Sequence, residues 1–409
     1  MTRRGARGAR ALAAVSLTGI LLGGAAPASA TQTGAPAATA ACEEGKTQYV
    51  TDTPTALVRL GAREAWTMAT GAGVTVAVVD SGVADANAHF PDGVVLPGTS
   101  FVGGSARRDP LTHGTAVAGT IAARSIGSRS GVEGLAPGSR ILPVKVVPEE
   151  QRGDGEEISV ADVANGIRYA ADNGAQVINV SLSTSRDDPR LKAAVEHASA
   201  KGSLVVASAG HRRTEEDPRT GRRYPAAYPQ VLAVAATDND DRVTDDSLHG
   251  PHVDIAAPGR DVLTTWGAWG DCYLSQDGES TSYAAGYVSA AAALVVQRFP
   301  TDGPAQWKHR LEATASRDRR DARDDAAGWG LVQPVEALTA VLDQSIAGPL
   351  APGATPAPSA TVEAAKVALG PMPDPGERDR REVIWVVVAA GTAVLALALA
   401  RLARRRPRA

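Results

Sequence analysis

Residues 74–82 read VTVAVVDSG, a short run of apolar and β-branched residues that stops at an aspartate. Such a run predicts a strand buried on both faces, as in a parallel sheet covered by helices. Burial of a carboxylate is costly without a partner, so Asp80 at the end of this strand needs an explanation. It is either a turn or helix-capping residue or a site residue, because chemistry in parallel sheets collects at the carboxyl ends of strands.

On both sides of this strand, short apolar runs alternate with segments of helical composition over residues 56–342. This alternation predicts an α/β domain in which a parallel sheet is flanked by helices. The predicted strands are 74–79, 140–147, 176–182, 203–208, 231–236 and 253–256, and the predicted helices are 114–124, 160–173, 190–201 and 282–299.

The composition is that of a globular protein. Of 409 residues, 44% are apolar and 21% are charged, which excludes disorder throughout and a polytopic membrane protein. All 45 acidic residues lie within residues 31–382, whereas nine of the 42 basic residues lie outside that range. An acidic body with basic ends argues against nucleic-acid binding and indicates that the two ends interact with a membrane.

Both ends carry membrane-related patterns. Residues 1–30 combine a basic start, an apolar run and the sequence Ala-Ser-Ala at 28–30, which predicts a secretory signal peptide. Residues 383–400 contain no charge and are long enough to span about 30 Å of hydrocarbon. The alternative for this segment is a buried core helix. The arginines of the tail, 401–409, place that tail in the cytoplasm by the positive-inside rule, and an exported body agrees with this orientation.

Three segments lie between the signal peptide and the predicted membrane span. Residues 31–55 form an N-terminal extension that contains Cys42, and residues 56–342 form the folded body. Residues 343–382 are rich in proline and alanine near their start, which predicts an extended, semi-rigid linker between the body and the anchor.

Two further segments contain residues typical of nucleophilic catalysis. His113 lies in THGTAVAGT at 112–120, and Ser282 lies in STSYAAG at 280–286, each at the start of a predicted helix. Alone, such a histidine is usually an ordinary core or surface residue, and such a serine is usually a helix cap. Taken with Asp80, however, they follow in the order Asp, His, Ser, which is the order of subtilisin and not of chymotrypsin or the α/β-hydrolases.

The body resembles the subtilisin-like serine proteases, or subtilases. Further motifs of that family are YPAAYP at 224–229, VLAV at 231–234, DIAAPG at 254–259 and GWG at 328–330. Several motifs in the right order make a chance match improbable. The resemblance implies a subtilisin-like fold and peptide-bond hydrolysis, and no cofactor is expected.

The resemblance also implies roles for individual residues. Ser282 attacks the scissile carbonyl, His113 accepts and returns the proton, and Asp80 orients the imidazole and stabilises the imidazolium. A peptide substrate pairs in β fashion with the walls of the groove and of the S1 pocket. The residues implied to form these walls are Ser181, Leu182, Ser183, Ser208, Ala209 and Gly210.

Three residues depart from the family pattern. Ser280 replaces the usual glycine two residues before the nucleophile, and Gly286 replaces the usual proline four residues after it. His211 stands at the position of the oxyanion-hole asparagine, a donor whose loss from subtilisin costs about 10²–10³ in turnover. Either the His211 imidazole donates in its place, beside the backbone N–H of Ser282, or His211 is a loop residue that points elsewhere.

Cys42 and Cys272 are the only cysteines. Both are expected outside the cytoplasm, where disulfides persist. A bridge would clamp the extension near the nucleophile loop; the alternative is two unpaired thiols. The whole arrangement, from signal peptide to basic tail, resembles the mycosins, which are membrane-anchored subtilases of type VII secretion systems, and this implies membrane components of such a system as partners.

The acid-rich stretch 149–157 is predicted as a solvated loop. The acid-rich stretch 238–246 could hold Ca²⁺, but it lacks the ligand spacing of an EF-hand, so no required metal is predicted. Three functions remain open. The first is an active, membrane-anchored endopeptidase that cleaves proteins or peptides and works with a secretion system. The second is a catalytically weak subtilase that serves as a structural subunit of the secretion complex. The third is a cell-surface protease without such a partner.

Overall fold

The computed structural model describes residues 42–149, 159–212, 220–319, 321–343, 346–354 and 375–404. The chain divides into two units, residues 1–354 and residues 355–409. Several predicted segments lie wholly or mostly outside the described residues. These are the signal peptide 1–30, the start of the extension at 31–41, most of the acidic loop 149–157, most of the linker at 355–374, and the end of the tail at 405–409.

A parallel sheet forms the centre of the first unit. Its strands are β1 Thr75–Asp80, β2 Thr99–Ser100, β3 Arg140–Lys145, β4 Val177–Val180, β5 Leu204–Ser208, β6 Leu232–Thr237 and β7 Ile255–Pro258, and a separate antiparallel hairpin contains β8 Val262–Thr265 and β9 Asp271–Leu274. The seven strands are arranged in the order β2-β3-β1-β4-β5-β6-β7. β1 pairs with β3 on one side and with β4 on the other, so its carboxyl end has a neighbouring strand on both sides.

Helices cover both faces of this sheet. They are α1 Thr55–Arg59, α2 Ala62–Ala65, α3 His113–Ala122, α4 Val160–Asp172, α5 Pro189–Ala200, α6 Thr281–Arg298, α7 Pro304–Thr314 and α8 Pro334–Thr339, and the second unit contains α9 Glu377–Arg404. The predicted α/β class is confirmed, and each predicted strand and helix of the body is present with ends that differ by at most two residues. The hairpin, β2, α7 and α8 were not predicted.

Two apolar cores explain why the strands are apolar without alternation. Val76 and Val78 of β1 pack in the core that contains α3 and α6, whereas Ala77 and Val79 pack in the core that contains α4 and α5. Successive side chains of a strand point to opposite faces, so both sets must be apolar here. Full burial of such a valine contributes about 1.5–3 kcal/mol relative to exposure.

Two glycines permit close approach at the helices that carry the predicted site. A Cβ added at Gly114 in α3 would lie 2.2 Å from the carbonyl oxygen of Gly82, just beyond β1. A Cβ added at Gly286 in α6 would lie 2.2 Å from Oγ1 of Thr120 in α3. Any side chain at 286, proline included, would therefore clash with α3 as it now lies, which accounts for this departure from the family pattern.

The extension continues as a strap over the hairpin, which we call the N-terminal strap (residues 42–53). A disulfide joins Cys42 to Cys272 in β9, with Cα atoms 5.9 Å apart, so the two unpaired thiols of the alternative are absent from the described chain. The hairpin in turn contacts α3: the hydroxyl of Thr264 donates to the carbonyl of Ala116 at 2.9 Å. The strap thus stabilises the helix that begins at His113.

The helix α9 has 28 residues, and the mean hydropathy of its most apolar window is 2.5. At about 1.5 Å rise per residue it is long enough to cross about 30 Å of hydrocarbon. None of that window is buried inside the structure, so α9 is not the buried core helix that the sequence left as the alternative. The helix extends beyond the predicted span 383–400 at both ends because the charged turns on either side continue the helical hydrogen bonding. By length and composition, α9 is a candidate membrane span.

Candidate active site

The end of β1 and the start of α3 bring Asp80 and His113 together. Nδ1 of His113 lies 2.8 Å from Oδ1 of Asp80, and the same oxygen accepts hydrogen bonds from the backbone N–H of Ser81 at 2.7 Å and from its hydroxyl at 3.1 Å. Asp80 is fully buried, whereas the His113 side chain is 32% exposed. Because Nδ1 is committed to the carboxylate, Nε2 is the nitrogen that remains for proton transfer.

A second buried carboxylate supports the first turn of α3. Oδ2 of Asp109 accepts hydrogen bonds from the backbone N–H of Thr115 at 2.8 Å and from its hydroxyl at 2.7 Å. The Thr115 hydroxyl oxygen accepts a further bond from the backbone N–H of Ala84, in the loop after β1. A carboxylate at this end of a helix is favoured by the helix dipole. Asp109 therefore fixes the direction in which α3 leaves His113.

The two carboxylates control the charge of the imidazole. Burial alone lowers the pKa of His113, but the charge and hydrogen bond of Asp80 and the charge of Asp109 outweigh that effect and raise it. Burial also raises the pKa of Asp109, against the hydrogen bonds from Thr115. A general base must be neutral to accept a proton. The acid limb of any His113-dependent activity is therefore expected at a higher pH than an unperturbed histidine would give.

Ser282 is the second residue of α6 and is almost fully buried. Its hydroxyl donates to the carbonyl oxygen of Ser181 at 3.2 Å, and the Ser181 hydroxyl donates to the carbonyl oxygen of Ser282 at 2.9 Å. No hydrogen bond from Ser282 to His113 is present among the described residues. Catalytic hydrogen bonds are often long without substrate and tighten when it binds, so this geometry does not exclude the pair.

One cleft nevertheless contains most of the predicted site residues. Asp80, His113 and Ser282 all line it, and so does Ser280, the first departure from the family pattern. Ala209 does not line it and is fully buried in a small apolar cluster, and Gly210 adjoins it with φ +99°. The other predicted residues that line the cleft are Ser181, Leu182, Ser183, Ser208 and His211.

His211 lies beside the residue that precedes the nucleophile. Its side chain is exposed, and Nδ1 is 3.4 Å from Oγ1 of Thr281. Oγ1 of Thr281 is in turn 2.6 Å from Oγ of Ser208. A bridge between the backbones of His211 and Ser247 fixes the loop at this point. The imidazole thus faces the same cleft as Ser282, with a ring nitrogen close to the start of α6.

Sequence reasoning missed a buried polar network under the nucleophile. Nδ2 of Asn179 donates to the Ser181 hydroxyl at 2.9 Å, and Oδ1 of Asn179 accepts from the Ser289 hydroxyl at 3.0 Å. Both residues are fully buried. Two signals pointed to them: Asn179 is a polar residue within an apolar strand, and Ser289 lies two helical turns after Ser282, on the same face of α6.

An aromatic ring also borders the imidazole. The ring centroids of His113 and Tyr283 are 5.8 Å apart, with an angle of 37° between the planes. Tyr283 is 9% exposed and belongs to the core that contains α3 and α6. The ring therefore limits the orientations that the imidazole can adopt.

The acid-rich stretch 238–246 is occupied by protein donors. Oδ1 of Asp238 accepts from the backbone N–H groups of Asp240 and Arg242, at 2.9 Å each, and Asp241 pairs with Arg59. Within the described ranges, no group of three or more His, Cys, Asp or Glu side chains is arranged to hold a metal ion.

A buried aspartate–histidine pair at the end of a parallel strand, facing a serine at the start of a long helix, defines a serine hydrolase of the subtilisin arrangement. Residues 71–330 match the model of the Subtilase family. The chain belongs to this family, whose members are serine endopeptidases.

Within the family, the chain is similar to the mycosins. It is 34% identical to Mycosin-1 of Mycobacterium tuberculosis over 400 residues, which cover 87% of this chain and 85% of that protein. The crystal structure of MycP1 from Mycobacterium smegmatis is 30% identical, with a TM-score of 0.63, and the match covers 76% of this chain and 92% of that one. A chain in the structure of an intact ESX-5 inner membrane complex is 28% identical, with a TM-score of 0.63 and coverages of 88% and 93%. The mycosin resemblance inferred from the sequence is confirmed.

We expect Asp109→Asn to move the acid limb of the pH–rate profile to lower pH. The substitution removes one of the negative charges that raise the pKa of His113, so the imidazole loses its proton at lower pH. The asparagine keeps an oxygen that can accept the bonds from Thr115. The measurement is kcat/KM against pH for a peptide substrate, with the exposed Asp92→Asn as the matched control. An unmoved acid limb in a folded Asp109→Asn protein would show that this carboxylate does not act on His113.

Proposed function

We propose that this chain is a single-pass, membrane-anchored endopeptidase of the mycosin type, whose catalytic unit lies outside the cytoplasm. The carrying observation is the extent of the similarity to Mycosin-1, which covers 87% of this chain and so reaches well beyond residues 71–330. The apolar helix α9 and the signal-like sequence at 1–30 support anchoring and export. The arginine-rich tail, 401–409, is then cytoplasmic.

The proposal assigns a task to each segment of the chain. Residues 1–30 direct export, residues 56–342 catalyse, residues 343–382 hold the catalytic domain away from the membrane, and residues 383–400 span it. The extension 31–55 is attached to the catalytic domain by the disulfide between Cys42 and Cys272.

The catalytic steps that we propose use the Asp, His and Ser side chains in the roles of a catalytic triad. His113 Nε2 accepts the proton of Ser282 Oγ as that oxygen attacks the scissile carbonyl carbon, and Asp80 stabilises the resulting imidazolium. The imidazolium then gives the proton to the leaving amine as the C–N bond breaks. Water, deprotonated by His113, hydrolyses the acyl-enzyme and releases the acid. Before the attack, Ser282 must exchange its hydrogen bond to Ser181 for one to His113.

The oxyanion of the tetrahedral intermediate needs donors. The backbone N–H of Ser282 belongs to the first turn of α6, where N–H groups have no partner within the helix. We assign the second donor to His211, because its imidazole faces the cleft beside Thr281. Ser181, Leu182 and Ser183 supply the strand along which a peptide substrate pairs.

Secretion-system components are the proposed partners. One structural neighbour of this chain belongs to an ESX-5 inner membrane complex, and that match covers 88% of this chain. The location of a protease in such a complex determines which substrates it can reach. The proposed substrates are therefore proteins or peptides on the outer side of the membrane.

The second candidate is a structural subunit of the secretion complex with little or no activity. Two observations favour it: the Ser282 hydroxyl donates to Ser181, and a histidine stands at the position of the oxyanion asparagine. A subunit of this kind keeps the fold and the contacts of the complex without an activated nucleophile.

Labelling with a fluorophosphonate separates the two candidates. We expect the full-length protein in detergent to react at Ser282, because the neighbouring base increases the nucleophilicity of the hydroxyl. The Ser282→Ala protein is the control and should stay unlabelled. A wild-type protein that also stays unlabelled, while the Ser282→Ala protein still supports secretion, would favour the structural subunit.

If the N–H of His211 serves the oxyanion, His211→Ala should lower kcat by about 10²–10³, as loss of a single donor does in subtilisin. KM should change little because the bond forms mainly in the transition state. His211→Asn should keep or raise kcat, since the amide donates from the same place. Equal kcat values for wild type and His211→Ala, measured on one peptide, would remove His211 from the oxyanion hole.

The proposed topology predicts the result of protease treatment of intact cells. An added protease should remove the catalytic domain and leave a protected C-terminal fragment that contains α9 and the tail. Immunoblotting with tags at either end measures this, and permeabilised cells are the control. Full protection of the domain in intact cells would contradict an extracytoplasmic location.

A further inference from the structure

Two buried hydroxyl groups lie next to the His211 imidazole. Ser208 ends β5 and is 3% exposed, and Thr281 begins α6 and is fully buried. Oγ of Ser208 is 2.6 Å from Oγ1 of Thr281, and Nδ1 of His211 is 3.4 Å from the same Thr281 oxygen. Hydrogen bonds therefore connect the end of β5, through the start of α6, to the imidazole.

The number of hydrogens limits how these bonds can run. Each hydroxyl has one hydrogen to donate. The Ser208 oxygen also accepts a bond from the backbone N–H of Gly210 at 3.3 Å, and an N–H cannot accept the Ser208 hydrogen in return. In the part of the chain that the structure describes, the two hydroxyls have no further hydrogen-bond partners. Their two hydrogens must therefore lie on the bond between Ser208 and Thr281 and on the bond between Thr281 and His211.

Only one direction gives both hydrogens an acceptor. If Ser208 donates to Thr281, then Thr281 donates to Nδ1 of His211, and both hydrogens are used. If Thr281 donates to Ser208 instead, the Ser208 hydrogen meets no acceptor and Nδ1 of His211 must carry a hydrogen of its own. A buried hydroxyl without an acceptor loses its hydration for nothing, so the first direction is favoured about 10- to 100-fold.

We propose that Thr281 is a positioning residue that selects the tautomer of His211. Nδ1 accepts from Thr281, so the single hydrogen of the neutral imidazole lies on Nε2, which can then donate to the oxyanion. In the other tautomer Nε2 carries a lone pair, which repels the developing negative charge. The inference rests on the proposed function, in which His211 is the second oxyanion donor.

Nuclear magnetic resonance reports the tautomer without any need for activity. The sample is the full-length protein in detergent with ¹⁵N-labelled histidine, and two-bond ¹H–¹⁵N correlation spectra at about pH 9, where an ordinary histidine is neutral, show which ring nitrogen carries the hydrogen. The His211 signals are those missing from His211→Asn. We expect a bare Nδ1 and a protonated Nε2, with the other tautomer at about a tenth or less. A hydrogen on Nδ1, or equal amounts of both tautomers, would overturn the inference.

Thr281→Val keeps the shape of the side chain and removes the hydroxyl. It should reduce the preference for the Nε2–H tautomer about tenfold or more, whereas Thr281→Ser keeps a hydroxyl and should retain the preference. Thr237→Val is the matched control and should also retain it, because Thr237 is another buried threonine, whose hydroxyl accepts from Arg59. An unchanged tautomer in folded Thr281→Val protein would remove Thr281 from this role. Thermal unfolding identifies a variant that does not fold, and in that case the wild-type spectrum decides.

A double-mutant cycle tests the consequence for catalysis. In the wild-type background, Thr281→Val should lower kcat about 2- to 10-fold, as expected for the loss of one hydrogen bond. In the His211→Ala background it should cost nothing further, because no imidazole remains for Thr281 to position. An equal loss in both backgrounds would show that Thr281 acts on Ser282 or on the oxyanion directly, and this would overturn the inference.

The spectra and the kinetics separate this inference from the proposed function. If wild type is inert but shows the Nε2–H tautomer, and Thr281→Val loses it, the assignment of Thr281 stands and the endopeptidase function fails. Turnover by a wild type whose His211 carries its hydrogen on Nδ1 keeps the endopeptidase function and overturns the inference.

Discussion

The burial of the Asp80 carboxylate is the constraint on which the site depends. A buried charge is tolerated only when hydrogen bonds replace its lost hydration. Asp80 is fully buried, and its donors come from Ser81, which follows β1, and from His113, which begins α3. The start of α3 must therefore lie against the end of β1. Gly114 makes this possible, since a Cβ there would lie 3.0 Å from the Cβ of Asp80.

The same requirement extends to the nucleophile through packing. α6 lies against α3 where Gly286 meets Thr120, so the helix that begins near Ser282 is placed relative to the helix that begins at His113. Beneath Ser282, the Asn179 side chain connects β4 to α6 by fully buried hydrogen bonds. Buried polar groups of this kind are rigid when every member has a partner. The three catalytic side chains thus lie at a strand end and two helix starts, while the segments after β4 and β5 complete the walls of the cleft.

The sequence was sufficient to predict the sheet and the triad, but not the residues that hold the triad in position. Val76–Val79 and the other apolar runs predict buried strands because both faces must be apolar, and the order of Asp80, His113 and Ser282 carries the chemistry. Asn179 stood out as a polar residue in an apolar strand, but its role depends on Ser289, which is 110 residues further along the chain. Asp109 lies only six residues before its partner Thr115, and an aspartate ahead of a helix does not by itself indicate a second buried carboxylate at the site. The hairpin was missed for a similar reason: β8 and β9 are four residues each, and their pairing with the strap and α3 is tertiary.

A second buried pair, His89 and Asp271, holds the N-terminal strap in position. Nδ1 of His89 lies 2.6 Å from the carbonyl oxygen of Arg124, and Nε2 lies 2.8 Å from Oδ1 of Asp271. Both neighbours of the ring are acceptors, so the imidazole connects the Arg124 carbonyl to the Asp271 carboxylate. A buried carboxylate with hydrogen-bonding partners costs less free energy than one without them. The other carboxylate oxygen accepts from the backbone N–H of Val50 in the strap and from the Ser130 hydroxyl. Because Arg124 follows α3, the strap, the hairpin and the helix of His113 share one buried network, and loss of the strap would leave the Asp271 carboxylate short of a donor.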